Sequence, residues 1–179
     1  MTVVLLVHGA YSNPQSNWFP WLKTELERRG HQVIIPTFPT PEGQSLQSWM
    51  SVVKKVQLPA DCIMIGHSLG TPFILRLLEQ QKAKAVFLAA GFTHLLGQPK
   101  YDTINKTFVE HPFDWKKIKS NCKKFYVFHG EDDPIVPIQE SEEIARKTSG
   151  VLHRIPQGKH LSANFFSFPL LLQEMVKEI

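Results

Sequence analysis

Short runs in which every residue is apolar alternate along this chain with longer stretches whose apolar residues recur every three or four positions. Val3–Val7 is the first of the runs, and a strand apolar at every position is buried on both faces. Further strands are predicted at 33–35, 62–65, 85–88, 125–128 and Val151–Ile155. Between them, 18–29 reads as a helix with Trp18, Leu22 and Leu26 on one face, Pro20 in its first turn and Gly30 as its stop. A second helix is predicted at 46–56 behind Ser45 as N-cap. A third, at 69–80, carries Phe73, Ile74, Leu75, Leu77 and Leu78, is apolar nearly all round, and is therefore expected to be central. The segment 91–122 holds Pro99, Pro112 and two apolar islands, and reads as a loop-rich excursion with a short helix. Helices at 139–148 and 164–178 close the chain, the last despite Pro169 in its early part. This alternation predicts an α/β fold: about six mostly parallel strands flanked by helices on both faces.

The length of 179 residues fits one domain, 1–179, with no internal repeat or linker-like stretch. With 42% hydrophobic and 20% charged residues the chain has material for a sizeable core. The net charge of +4 is a mild excess, and five lysines between Lys116 and Lys124 account for most of it. Without concentrated arginine or a nucleic-acid motif, those lysines read as a solvated face, and no nucleic-acid partner is expected. Cys62 and Cys122 have neither metal nor redox spacing, and Cys62 lies in an apolar run that suggests a buried thiol. The apolar stretch Val3–Val7 is too short for a signal-peptide core, and no stretch is long enough to span a bilayer. The expectation is a cytoplasmic protein with no membrane association and no obligate protein partner.

Chemistry enters with Gly66-His67-Ser68-Leu69-Gly70. A G-x-S-x-G string arises by chance roughly 0.06 times in a chain of this length. Its place, directly between an apolar strand and an apolar helix, is that of a nucleophile elbow. The turn is sharp, side chains at the glycine positions would collide with neighbouring elements, and the helix N-terminus offers free N–H groups to a developing oxyanion. Ser68 is thus a candidate nucleophile, and a serine hydroxyl needs a base within hydrogen-bond reach. In such a fold the acid and then the histidine follow in chain order. Asp133, just before a Pro-Ile-Val-Pro turn and just past a predicted strand, is the candidate acid, with its neighbour Asp132 as the alternative. His160 follows the last strand in a glycine-bearing loop, whereas His153 lies within that strand. His67 reads as a structural hydrogen-bonding residue and His8 as the anchor of the loop after the first strand. The backbone N–H groups of Ala10 and Leu69 are the candidate oxyanion donors. No His, Cys and Asp cluster has zinc-ligand spacing and no glycine loop is built to cradle phosphate, so neither metal nor nucleotide is expected.

Taken together, His-Gly after the first strand, Gly-His-Ser-Leu-Gly, Asp-Asp-Pro-Ile-Val-Pro and the late histidine resemble the α/β-hydrolases. Within that superfamily the chain is similar to the small retinoblastoma-binding-protein-9/YdeN-like serine hydrolases, including Trp115-Lys116-Lys117-Ile118-Lys119-Ser120-Asn121-Cys122 before the acid-bearing strand. The resemblance covers essentially the whole chain. It implies a Ser68, Asp133 and His160 triad that hydrolyses small esters or amides without a cofactor. Aminopeptidase or thioesterase chemistry on the same triad, or a non-catalytic binding module on a hydrolase scaffold, are the alternatives. A Leu-x-Cys-x-Glu string is absent, so no retinoblastoma-type partner is implied. Tyr11 and Phe92 are candidate substrate contacts. Phe92, His94, Leu95 and Leu96 are expected to form an apolar wall where 91–122 roofs a shallow, open site suited to small acyl groups.

Overall fold

Each strand contributes alternate side chains to opposite sides of one sheet, and both sides are apolar. In the computed structural model, which describes residues 1–163 and 165–179, the strands are β1 (Val3–Val7), β2 (Gln32–Ile34), β3 (Ile63–His67), β4 (Ala85–Ala89), β5 (Phe125–Gly130) and β6 (Val151–Ile155). They lie in the order β2-β1-β3-β4-β5-β6, and every pairing is parallel. Leu5, Val7, Met64, Val86, Leu88 and Val127 point to one side, and Val4, Leu6, Ile63, Ile65, Phe87 and Phe128 to the other. The first side is covered by α2 (Leu46–Val53), α3 (Gly70–Leu78), α4 (Pro99–Val109), α5 (Trp115–Asn121) and α6 (Ile138–Thr148). The second is covered by α1 (Phe19–Glu27) and α7 (Pro169–Val176). The expected three-layer arrangement is therefore present, with α3 buried at every position.

Two readings of the sequence are corrected. The 91–122 segment is not loop-rich but carries two helices, α4 and α5. Pro99 is not a breaker; it stands in the first turn of α4, where its missing N–H has no partner to lose. The closing helix does not run from 164. Asn164 lies outside the described residues, 165–168 are non-helical, and α7 starts at Pro169. Proline disfavours helical backbone in the residue before it, so it opens this helix instead of sitting inside it. The Ser45 cap holds as read: its hydroxyl accepts the Ser48 N–H at 3.1 Å, and the Ser48 hydroxyl reciprocates with the Ser45 N–H at 3.1 Å.

Between α2, α3 and α4 an aromatic cluster ties the sheet to the segment after β2. The Trp49 ring stacks on Phe38 at 4.5 Å and meets Phe73 at 5.4 Å and Phe108 at 5.0 Å edge-on. Among the described residues no helix is long and apolar enough to cross a membrane. Trp49→Ala should lower the unfolding free energy by about 3–5 kcal/mol, because the cavity it leaves is walled by three rings. Ser45→Ala should cost only about 1 kcal/mol. Urea unfolding of the two variants tests that order.

Candidate active site

The strand order reverses at β1: the chain passes from β1 to β2 on one side and returns to β3 on the other. Loops leaving the carboxyl ends of β1 and β3 therefore diverge and open a crevice. Ser68 lies at that crevice, one residue past β3, with φ at 53°, a left-handed conformation that costs a non-glycine residue about 1–3 kcal/mol. The surroundings impose it. The Ser68 N–H donates to the Ala89 carbonyl at 2.8 Å, and a side-chain carbon at Gly66 would come within 2.6 Å of the Gly70 carbonyl oxygen. One at Gly70 would collide with the Val7 carbonyl. A carbon at Gly9 would lie 2.9 Å from Ser68 Cβ, so the loop after β1 passes directly against the serine.

Three of the sequence-designated residues form a hydrogen-bonded row. The Ser68 hydroxyl is 2.9 Å from His160 Nε2, and His160 Nδ1 is 2.8 Å from Asp133 Oδ2. Opposite a carboxylate Nδ1 is the donor, which leaves Nε2 to accept the hydroxyl proton. Asp133 Oδ1 accepts the N–H groups of Ile135 at 2.8 Å and Val136 at 3.0 Å, so the Pro-Ile-Val-Pro turn aims the other oxygen at the imidazole. Burial pushes the Asp133 carboxyl up, yet the His160 hydrogen bond and charge and these two N–H donors bring it below the usual carboxylate range. Asp132 is directed elsewhere. It accepts the Lys159 N–H at 2.8 Å and pairs with the Lys159 ammonium at 2.7 Å, which brings its carboxyl below the usual range too.

The loop that carries His160 has left-handed backbone at Gln157, Lys159 and Leu161 and is tied at three successive residues. Asp132 holds the Lys159 N–H, His67 Nε2 donates to the His160 carbonyl at 2.9 Å, and Trp18 Nε1 donates to the Leu161 carbonyl at 3.0 Å. Two further imidazoles brace the neighbouring segments. His8 Nδ1 donates to the Gly9 carbonyl at 2.8 Å while its Nε2 accepts the Phe38 N–H at 3.1 Å. His129 Nε2 donates to the Val136 carbonyl at 3.0 Å, and Nδ1 accepts the Ser141 hydroxyl at 2.7 Å. Burial lowers the pKa of all three rings, His67 down to about 3, where the neighbouring His160 adds to the effect. Neutral His129, 3.7 Å from Asp133, is thus a neighbour and not an ion-pair partner. His8 and His67 have the anchoring places read from the sequence. His129 escaped that reading; its signal was a polar residue beside Gly130 at the end of an otherwise apolar strand.

Next to Ser68 opens a cavity of about 290 Å³. Ala10, Tyr11 and Phe92 line it, Tyr11 half exposed and Phe92 fully buried. The Tyr11 N–H is taken by Thr40 Oγ1 at 2.8 Å, whereas among the described residues the Ala10 and Leu69 N–H groups make no hydrogen bond. The expected apolar wall is only half right. Phe92 and Leu96 line the cavity, but Leu95 is 50% exposed and His94 turns away to Glu140, 3.0 Å distant. The Glu140 carboxylate also takes the Thr93 N–H at 2.7 Å and so draws this stretch outward. The rest of that wall comes from α4, as Lys100, Tyr101 and Asn105, which the loop-rich reading of 91–122 could not place. Among the described residues no group of three or more His, Cys, Asp or Glu side chains could hold a metal ion.

Comparison with known proteins bears on the family and the fold. A family profile described as "Serine hydrolase" matches residues 4–173. YdeN of Bacillus subtilis is 31% identical over 176 residues, covering 94% of this chain and 91% of its own. Its crystal structure superposes with a TM-score of 0.91 over 99% of this chain and 98% of that one. The serine hydrolase RBBP9 of Rattus norvegicus is 26% identical over 166 residues, covering 92% of this chain and 88% of its own. Mouse alpha/beta hydrolase domain-containing protein 10, at 15% identity, shares the fold with a TM-score of 0.71 over 98% of this chain and 89% of that one. The architecture is that of the α/β-hydrolases.

The braced imidazoles set a pH dependence. A ring that stays neutral in the folded chain but protonates in the unfolded one gives the unfolded state more bound protons, so stability rises with pH. For His67 the window runs from about 6.5 down to about 3. The unfolding free energy should therefore fall by up to ~1.4 kcal/mol per pH unit for this ring alone as pH drops from 6 to 4. His67→Gln, which can still donate to the His160 carbonyl, should show a shallower slope in urea titrations at stepped pH. An identical slope in both proteins would contradict the assignment.

Proposed function

The chain belongs to the serine hydrolase family, and from that premise we propose that it cleaves small carboxylic esters or amides through an acyl-enzyme on Ser68. The observation that carries the reading is the Ser68, His160 and Asp133 row, with both links at hydrogen-bond distance and the serine in left-handed backbone. His160 Nε2 takes the hydroxyl proton as Ser68 Oγ attacks the substrate carbonyl carbon. Asp133, held ionised by its turn, keeps Nδ1 protonated and stabilises the imidazolium that forms. The negative charge that develops on the carbonyl oxygen is received by the Ala10 and Leu69 N–H groups, which are free to donate. Loss of one such donor typically slows the reaction by about 10²–10³.

As the tetrahedral intermediate collapses, the bond to the alcohol or amine breaks and His160 gives its proton to the leaving group. Water then surrenders a proton to the same nitrogen and attacks the acyl carbon. The carboxylic acid departs and the Ser68 hydroxyl is restored. The volume of the cavity supports small acyl groups, with Tyr11 and Phe92 against them. The free, buried cysteines Cys62 and Cys122 fit a reducing compartment, in keeping with a cytoplasmic place of action.

A fluorophosphonate probe should label the native protein and leave Ser68→Ala unlabelled. Persistent labelling in that variant would remove Ser68 from the role, and a folded native protein that neither labels nor turns over short 4-nitrophenyl esters would favour a binding module. Asp133→Asn should lower kcat/KM by about 10³–10⁴ through the wrong imidazole tautomer. Asp132→Asn, which loosens only the Lys159 loop contact, should stay within about tenfold of the native value.

A further inference from the structure

The cavity beside Ser68 is electrically lopsided. Among its lining residues Lys100 is the one basic side chain of Lys or Arg type, and none is Asp or Glu. The Lys100 ammonium sits 5.2 Å from the Tyr11 ring and 5.4 Å from the Tyr101 ring, and the two rings meet edge-on at 6.2 Å. Among the described residues the lysines that pair with carboxylates are Lys23, Lys117, Lys124, Lys159 and Lys177; Lys100 is not one of them. Asp102, two residues further along α4, accepts the Leu96 N–H through Oδ1 at 2.8 Å, and among the described residues it forms no ion pair with Lys100.

A second donor is aimed into the same space by a relay of hydrogen bonds. The Tyr11 N–H donates to Thr40 Oγ1, whose hydroxyl donates to Gln44 Oε1 at 2.6 Å. Gln44 Nε2 donates to the Ile104 carbonyl at 2.8 Å and to Asn105 Oδ1 at 3.0 Å. The backbone carbonyl fixes which end of Gln44 is the nitrogen, and that in turn fixes Asn105 with its oxygen consumed. Asn105 is 3% exposed, lines the cavity, and its Nδ2 makes no hydrogen bond among the described residues. A third group, Ser12 Oγ, is buried in the cavity lining without a partner. A buried donor without a partner is costly, so Ser12 Oγ, together with the free Asn105 amide and the unpaired Lys100 ammonium at the cavity's rim, marks an acceptor-rich ligand.

We propose that this cavity selects esters or amides whose acyl group ends in a carboxylate, with the Lys100 ammonium as counter-charge and the Asn105 amide as second donor. The inference rests on the hydrolytic role of Ser68 and names its substrate class. Lys100 and Ser68 line the same cavity and the ammonium lies over the ring of Tyr11, the residue after Ala10, so in this proposal the acyl chain runs along this wall and the His160 side is left to the leaving group. One ammonium matches the single charge of a carboxylate, whereas a dianionic phosphate would be left half neutralised.

The test compares kcat/KM for the 4-nitrophenyl half-esters of adipate and glutarate with their uncharged isosteres, the corresponding methyl-branched alkanoate esters, after subtraction of enzyme-free hydrolysis. The native protein should prefer the charged esters by about tenfold, the size expected for a hydrogen bond to a charged group. Lys100→Met should bring the ratio to within about twofold of one, Lys100→Glu should invert it, and Lys100→Arg should retain it. Lys100 is exposed, so these variants should fold, and urea unfolding checks that they do. A native ratio at or below one, or a ratio unmoved in the Met and Glu variants, would overturn the proposal. Fluorophosphonate labelling of Ser68 on the same samples separates the two claims. Labelling with no charge preference defeats only the subsite, whereas no labelling and no turnover defeats the hydrolase reading and the subsite with it. Protection of Ser68 from the probe by adipate, but not by hexan-1-ol, reads the subsite without turnover.

Discussion

The carboxylate of Asp133 is the constraint on which the site depends. A buried carboxylate without donors takes up a proton, and a protonated acid could not hold the imidazole in the tautomer that faces Ser68. Two N–H groups of its own turn and the His160 ring supply the donors that prevent this. The same contacts fix its direction: with Oδ1 spent on Ile135 and Val136, only Oδ2 is free to meet His160. One short turn thus bears on both the charge of Asp133 and the orientation of the His160 ring.

Around that row the protein uses neutral imidazoles as braces. His8, His67 and His129 each have burial as the main cause of a lowered pKa, and each bonds a backbone carbonyl in a segment of the site. A histidine can donate and accept at once without carrying charge: His8 links two backbone groups and His129 a carbonyl and the Ser141 hydroxyl, while His67 uses only Nε2, all at points where an ammonium or carboxylate would disturb the potential felt by His160. The braces also hold backbone that would otherwise relax. Ser68, Lys159 and Leu161 all have left-handed φ, and each lies next to a hydrogen bond or a glycine contact that leaves it no alternative.

The site also follows from topology. Loops leaving the carboxyl ends of β1, β3, β5 and β6 supply Ala10, Ser68, Asp133 and His160; the first two touch at Gly9 and Ser68, and the reversal of strand order at β1 then sends them apart. The strand-bound parts are rigid because both sides of the sheet are covered, while the far wall of the cavity comes from α4, outside the sheet. The hydrogen-bonded row therefore belongs to the sheet edge, and the one lysine beside it belongs to α4.

Much of this was legible from the chain alone because it is governed by local rules. All-apolar runs mark strands buried on both faces, as in Val3–Val7; Ser45 satisfies orphan N–H groups whatever lies beyond its helix; and Gly66 is required by a turn whose own atoms, those of Gly70 and Thr71, fill the space a side chain would need. Proline misled where its meaning is positional, since Pro99 and Pro169 start helices and a sequence shows a proline without showing which side of it the helix lies on. Between the adjacent carboxylates the Pro-Ile-Val-Pro turn favoured Asp133 over Asp132, but their chemistry is the same one residue apart, and it is the three-dimensional course of the turn that sends one to His160 and the other to Lys159. The pocket residues Lys100, Tyr101 and Asn105 carried no local mark. Their roles come from what they face across the fold, and such contacts exist only once segments far apart in the chain have packed together.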